Sequence, residues 1–257
     1  MIGYEFSNLK EFKKLKCFVT DGLDGFSQPP YDSLNLGLHI NDKMDSVLKN
    51  REKAVDHLGY MLSDLVVMDL VHGSNVEIIE NKDKERGSDS IKNAIPETDA
   101  MVTNEKDVVL SVFVADCIPA IIYDPENHVI ATIHGGWKPL AGNITAKTID
   151  KMVSVFGSNP NKLVVGVGPA VCGKCYDVYE NVANEIKEAF PNFAKEVLIK
   201  NKGRIYLDIQ KLMRLQLEDK GVKNIETSEI CTFENKDFYS YRRDKETGRF
   251  GIFAVLE

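Results

Sequence analysis

Four stretches of the chain carry apolar residues at helical spacing. In 45–58, Val47, Leu48, Ala54, Val55 and Leu58 fall on one face. The spans 144–156, 177–190 and 208–220 are the other helix candidates, the last closed by Gly221, a residue suited to a helix C-terminus. Between them the pattern changes to short apolar runs. Residues 65–70 are apolar apart from Asp69, and 76–79 follow after a short turn. Residues 108–115 are nearly all apolar and rich in β-branched side chains, as a strand covered on both faces requires. Residues 120–123 and 129–133 read as strands separated by the turn Asp124-Pro125-Glu126-Asn127, with 162–167 and 205–207 as further strands. The most polar stretch, 80–97, reads as a solvated loop or hairpin tip, because strand-like segments flank it closely. Strands gather in the middle of the chain, with helices between and after them. The pattern predicts an α+β fold, a mixed β-sheet core flanked by helices, in one domain spanning 1–257.

Charge narrows the partners. A net charge of −7 leaves no broad basic footprint, so neither nucleic acid nor an anionic membrane is expected as a main partner. A small anion in a locally basic pocket stays open. No run approaches the roughly 18 apolar residues of a spanning helix. Lys and Glu interrupt the first residues where an export signal needs an apolar run. The five cysteines, Cys17, Cys117, Cys172, Cys175 and Cys231, are odd in number and widely spaced, which fits reduced thiols. The expected location is cytoplasmic and the expected assembly a monomer.

Five histidines are present: His39, His57, His72, His128 and His134. Two stand at expected strand ends beside glycine, in Leu70-Val71-His72-Gly73 and Ile133-His134-Gly135-Gly136-Trp137. A third polar break, Asp116-Cys117, follows directly on the run 108–115. Each places a metal-binding side chain where a buried strand emerges, and glycine alongside permits close approach. Imidazole and thiolate are donors that zinc favours, and three protein ligands with an open fourth position mark a catalytic site. His72, Cys117 and His134 are therefore the candidate ligands for one Zn2+ per chain. Their spacing is not that of a zinc finger, so the fold must bring three strand ends together. The competing reading is a buried core thiol and two satisfied histidines. His57 on the first helix and His128 after the turn read as surface residues. His39 reads first as a loop residue and second as part of a pocket wall.

Cys172-Gly173-Lys174-Cys175 has no second CxxC to pair with, and Gly168-Pro169 intervenes after the strand before it. It reads as a tight loop lining the pocket, ahead of a redox pair or half a zinc site. Downstream, Tyr241-Arg242-Arg243-Asp244 and Arg249 gather guanidinium groups suited to phosphate. At least one of the three arginines reads instead as a turn residue paired with Asp237 or Asp244.

Taken in order, these motifs resemble a known family. Asn35-Leu36-Gly37-x-His39, Asp42, Asn50-Arg51 and Val71-His72-Gly73 match its N-terminal half. Thr98-Asp99-Ala100-Met101-Val102-Thr103, Ala115-Asp116-Cys117-x-Pro119 and His134-Gly135-Gly136-Trp137-Lys138 match its centre. Gly168-Pro169, Cys175-Tyr176-Asp177-Val178, Cys231-Thr232, Ser240-Tyr241-Arg242-Arg243-Asp244 and Thr247-Gly248-Arg249 complete it. The chain is similar over nearly its whole length to the YfiH-like family, long labelled multicopper polyphenol oxidase or laccase-domain proteins.

The resemblance implies a mono-zinc site at His72, Cys117 and His134 and a pocket role for His39. It also implies phosphorolysis of adenosine, inosine, guanosine or methylthioadenosine to free base and sugar 1-phosphate, with deamination of adenosine. The expected partners are thus purine nucleosides and phosphate. With Cys117, Asp116 and Arg51 are expected to be catalytic, Asp116 as proton shuttle or as orienter of a ligating histidine. Asn35, His39, Lys138 and Arg242 are expected to bind substrate. Some members are described instead as phenol oxidases or as editing enzymes for peptidoglycan precursors. An amide hydrolase with Cys117 as nucleophile and His134 as base is the alternative from those residues. Copper is the lesser expectation, because five histidines cannot furnish a multicopper cluster. Three places depart from the family pattern. Residues 18–25 lack its usual arginine, Lys138-Pro139 stands where Arg-Gly usually follows, and Leu70 stands where Gln usually precedes Val-His. Lysine keeps charge without the two-pronged planar grip, so phosphorolysis is the activity these changes touch most.

Overall fold

The protein is described from a computed structural model covering Met1–Glu257. Its architecture is α+β, and the core holds two large sheets in place of the single sheet expected. A five-stranded sheet is built, in order across it, from Ile2–Tyr4, Leu15–Thr20, Phe250–Leu256, Val109–Val114 and Leu65–Val66. A six-stranded mixed sheet runs Asn224–Thr227, Val164–Val167, Ile118–Asp124, Val129–Gly135, Ala100–Thr103, Val76–Ile78. A small antiparallel sheet joins Asp177–Val178, Arg204–Leu207 and Leu198–Asn201.

Strand alternation stacks these pieces into layers. Leu110, Val112 and Val114 of the first sheet meet Ile121, Tyr123 and Ile130 of the second in one apolar core. Val109 and Phe113 point the other way, onto Ala54 and Val55 of the helix Met44–Asp56. Ile118, Ala120 and Ile122 point away from the first sheet, onto Ile149 and Met152 of the helix Ile144–Phe156 and Leu212 and Met213 of the helix Ile209–Asp219. Each central strand is thus buried on both faces, which is why 109–114 reads as a continuous apolar run. No helix is long and apolar enough to cross a membrane.

Several elements differ from the pattern-based expectation. The third helix is shorter, Glu180–Ala189, because Asp177 and Val178 pair with Tyr206 and Ile205 as a strand. The run 65–70 leaves the sheet after Val66, and Met68 bridges Ile95 instead. The polar stretch 80–97 is not a hairpin tip: Val76–Ile78 and Ala100–Thr103 pair in parallel, so it is a crossover. Part of it packs inward, with Ala94 and Ile95 buried. The strand Phe250–Leu256, central in its sheet, was hidden because a short apolar run lacks a period that separates strand from buried helix.

The layering also places the candidate ligands. The chain passes from the first sheet to the second at Ala115-Asp116-Cys117, between the strands Val109–Val114 and Ile118–Asp124. It passes a second time near His72, between Leu65–Val66 and Val76–Ile78.

Candidate active site

Hairpin register brings the first two ligands together. Pro119 pairs with His134 and Ile118 with Gly135, so Cys117 emerges beside the end of the strand Val129–Gly135. His72 arrives from the other crossing, with its ring edge-on to His134 at 4.7 Å between centroids. The ligand atoms of His72, Cys117 and His134 lie within 4.8 Å of one another. Gly136 closes in on them: a Cβ there would stand 3.3 Å from the Cys117 Sγ and 3.4 Å from His72 Cδ2. Two residues of the corner hold left-handed backbone, His72 at φ 55° and Asp116 at φ 83°. Such non-glycine conformations cost about 1–3 kcal/mol each and persist where surrounding bonds enforce them.

Asp99 supplies those bonds at His72. It is fully buried at the entry to the strand Ala100–Thr103. Its Oδ1 contacts His134 Nδ1 at 2.7 Å and accepts the His72 N–H at 3.1 Å, while Oδ2 accepts the Gly73 N–H at 2.7 Å. One carboxylate thereby fixes the turn bearing one imidazole and the ring of the other, leaving His134 Nε2 for the thiol side. The role of histidine orienter, expected as one alternative for Asp116, belongs to Asp99. Its signal was the single acid in Thr98-Asp99-Ala100 preceding a buried strand.

Electrostatics at this corner favour a charged pair before any metal binds. Burial raises the Cys117 thiol, and the imidazoles of His134 and His72 outweigh it, bringing the thiol down to about 6. Burial also lowers His134, and the Cys117 thiolate and Asp99 outweigh it, bringing that ring up to about 9. Asp99 stays below the usual carboxylate range: burial would raise it, but its hydrogen bond to His134 prevails. Two nitrogens and one sulfur at this separation, with a supporting carboxylate, fit a single metal ion with an open side. They do not fit a multicopper cluster. His57 packs edge-on to Phe18, and His128 stands near Tyr123 and Lys14.

The three residues open into a cavity of about 710 Å³, within the size range of small-molecule sites. Its wall carries Trp137, Tyr176, Tyr179 and Tyr241 as aromatic surface and His39, Arg51, Arg242, Lys245 and Arg249 as basic groups. His39 keeps an exposed edge at this wall. Burial against the wall first, then the Arg249 and Arg51 guanidiniums, lower its pKa to about 4, so it is neutral at physiological pH. Arg249 gives Nη1 to the carbonyls of Thr247 and Gly248. Arg242 leans over the Tyr176 ring at 5.0 Å and pairs with Asp177 at 2.8 Å. Arg243 is the structural member of the trio, donating to the carbonyls of Thr232, Phe233 and Phe238.

Other expected site residues are placed differently. Arg51 is buried, with Nε on Leu36 O and Nη1 on the carbonyls of Gly87 and Ser88; its Nη2 makes no bond within the protein. It ties the 80–97 crossover to the first helix and adds charge to the cavity. Asn35, expected to touch substrate, is fully buried and instead accepts the N–H groups of Gly37 and Arg249 while donating to Asp42. Lys138, also expected at substrate, is exposed outside the cavity lining, its ammonium 5.6 Å from the Trp137 ring centre. Asp116 does line the cavity, with Oδ1 accepting from Thr232 Oγ1 at 2.7 Å and Oδ2 from the Arg242 N–H at 2.6 Å. Of the Cys172–Cys175 loop, the following residue, Tyr176, reaches the wall. The pattern also passed over Asp69, a half-buried carboxylate on the lining with no side-chain partner. Its signal was the one acid in an otherwise apolar run.

The chain is similar to known proteins in sequence and in fold. Residues 16–257 match the family model described as multi-copper polyphenol oxidoreductase laccase. Purine nucleoside phosphorylase YlmD of Bacillus subtilis is 36% identical over 238 residues, covering 91% of this chain and 85% of the relative. Purine nucleoside phosphorylase YfiH of Escherichia coli is 34% identical, covering 91% and 90%. The crystal structure of YfiH from Bacillus licheniformis superposes with a TM-score of 0.93 at 31% identity, covering 96% of this chain and 95% of the other. YlmD from Geobacillus stearothermophilus gives 0.92 at 30% identity, covering 96% and 93%. By family match, sequence and fold alike, the chain belongs to the YfiH/YlmD family.

Proposed function

We propose that the protein is a zinc-dependent purine nucleoside phosphorylase that also deaminates adenosine. Its homologues carry the phosphorylase name. The observation that carries the reading is the His72–Cys117–His134 corner opening into a cavity that pairs aromatic surface with the guanidiniums of Arg51 and Arg249, neither of which has a carboxylate partner, while Arg242 is held by Asp177. Arg51 Nη2 and Arg249 take phosphate, and Arg242 adds charge beside it. Trp137, Tyr176 and Tyr241 offer faces for a purine. Zinc, when bound by the three ligands, supplies Lewis acidity next to the substrate.

In phosphorolysis a phosphate oxygen bonds to the sugar C1′ as the bond to the purine nitrogen breaks, and the departing base takes up a proton. In deamination water adds at C6 of adenine and ammonia leaves, again with a proton relay. The relay falls to a carboxylate of the lining, either Asp116 beside Cys117 or the unpaired Asp69. The test incubates metal-assayed protein with adenosine, with and without phosphate. Adenine and ribose 1-phosphate should form only with phosphate, and inosine in either case. Zinc-loaded protein that yields neither would overturn the reading.

One observation favours a second reading. Cys117, His134 and Asp99 line up as thiol, imidazole and carboxylate, the arrangement of a cysteine hydrolase. An amide hydrolase acting on peptidoglycan precursors would use them so, with His72 a bystander. Metal-free protein that hydrolyses such an amide and is inactivated by alkylation would favour it.

A further inference from the structure

The other three clustered cysteines form a site of their own. Cys172 and Cys175 bracket a tight turn closed by the Cys175 N–H on Cys172 O at 2.9 Å. Cys231 and Glu234 bracket another, closed by the Glu234 N–H on Cys231 O at 3.2 Å. A parallel bridge between Ala170 and Cys231 sets the two turns face to face. Each turn thus offers ligands three residues apart, and the four ligand atoms lie within 4.8 Å of one another. None of the four lines the cavity of the first corner.

We infer that Cys172, Cys175 and Cys231, with Glu234 as fourth ligand, bind a structural zinc ion. Tetrahedral zinc at about 2.3 Å from each sulfur needs sulfurs about 3.8 Å apart, a closing of roughly 1 Å at most from the present spread. Two further features prepare the site for thiolate. The Cys172 N–H points at Cys231 Sγ across 3.3 Å, a bond that strengthens when the sulfur is charged. Gly173 lets its turn press against the helix start, since a Cβ there would meet Asp208 Cβ at 2.7 Å. A donor set of three sulfurs selects zinc over magnesium or calcium. Binding releases the three thiol protons to solvent and leaves all four positions filled, so the ion is a clamp and not a reaction centre.

The clamp acts on the cavity wall. Tyr176 follows Cys175 and carries Arg242 over its ring. Thr232 follows Cys231 and donates to Asp116. Fixing the two turns to each other fixes both contacts, so the cysteines are positioning residues for the wall.

The test counts zinc in reduced, full-length protein after zinc loading and dialysis. Wild type should hold two ions per chain, Cys117→Ser one, Cys231→Ser one, and the double variant none. Wild type holding one ion that Cys117→Ser removes entirely would overturn the inference. Retention of one ion by Cys117→Ser and none by Cys231→Ser would sustain this site and sink the first. Because Cys231→Ser could fail to fold, Cys117→Ser protein is also titrated with Co2+. An intense thiolate-to-cobalt charge-transfer band saturating at one equivalent is expected, and its absence counts against the site. Freshly isolated protein with Cys172 and Cys175 joined as a disulfide, and no second ion taken up once that disulfide is reduced, would overturn it as well.

Discussion

Cys117 shares its corner with two imidazoles, a buried carboxylate and an open cavity, whereas Cys172, Cys175 and Cys231 share theirs with one another and with two tight turns. The first thiol is pulled down by His134 and His72 against its burial. Cys175 is pushed up by burial first and then by its neighbouring sulfurs, and Cys231 is pushed up by burial, against the opposing pull of the N–H groups of Cys172 and Glu234. Histidine and carboxylate around a lone thiol make a charged, accessible group beside a substrate-sized space. Thiols around thiols, outside that space, make a group that ionises when a cation arrives. The same element is therefore read as chemistry in one place and as clamp in the other.

Substitution should separate the two most sharply. Cys117→Ser is expected to lower phosphate-dependent turnover by on the order of 10³ or more, with Cys231→Ser retaining activity within about tenfold, measured by product formation from adenosine. Equal losses would erase the distinction. Asp99→Asn should weaken zinc at the first corner by about 10–100-fold in chelator competition and leave the second ion in place. Arg249→Met removes a charged donor worth about 1.5–3 kcal/mol, so KM for phosphate should rise at least about tenfold while deamination is spared. A deamination loss of the same size would place Arg249 at the nucleoside instead.

Alkylation reads the electrostatics directly. In metal-free protein the iodoacetamide rate at Cys117 should fall as pH drops through about 6, where its thiolate takes up a proton, and level off above. Cys175, raised by its surroundings, should stay unreactive across that range, and zinc should protect Cys117. The smallest effect is thermal. Cys231→Ser should lower Tm by a few degrees, at about 2–4 °C per kcal/mol for a chain of this size.

Much of the first corner was legible before any coordinates. The turn 124–127 between two apolar runs sets the hairpin, and counting back from it puts Cys117 beside the end of the His134 strand. The helices 144–156 and 209–219 were legible for a similar reason, since one face is apolar and a glycine ends each, Gly157 and Gly221 both in left-handed backbone. Arg51 and Asn35 were harder. Both are polar residues in recurring motifs, and only their burial and hydrogen bonds assign them to holding loops together.

Local pattern thus determined most of the helices, the central strands, the 124–127 turn and, through its register, the closeness of Cys117 to the end of the His134 strand, because these depend on neighbours along the chain. Tertiary structure decided the rest. The two-sheet layering, the arrival of His72 through Asp99, and the meeting of Cys231 with the Cys172–Cys175 turn join segments far apart in sequence. Side-chain periodicity carries no information about which distant surface an element will bury, so packing alone could place them.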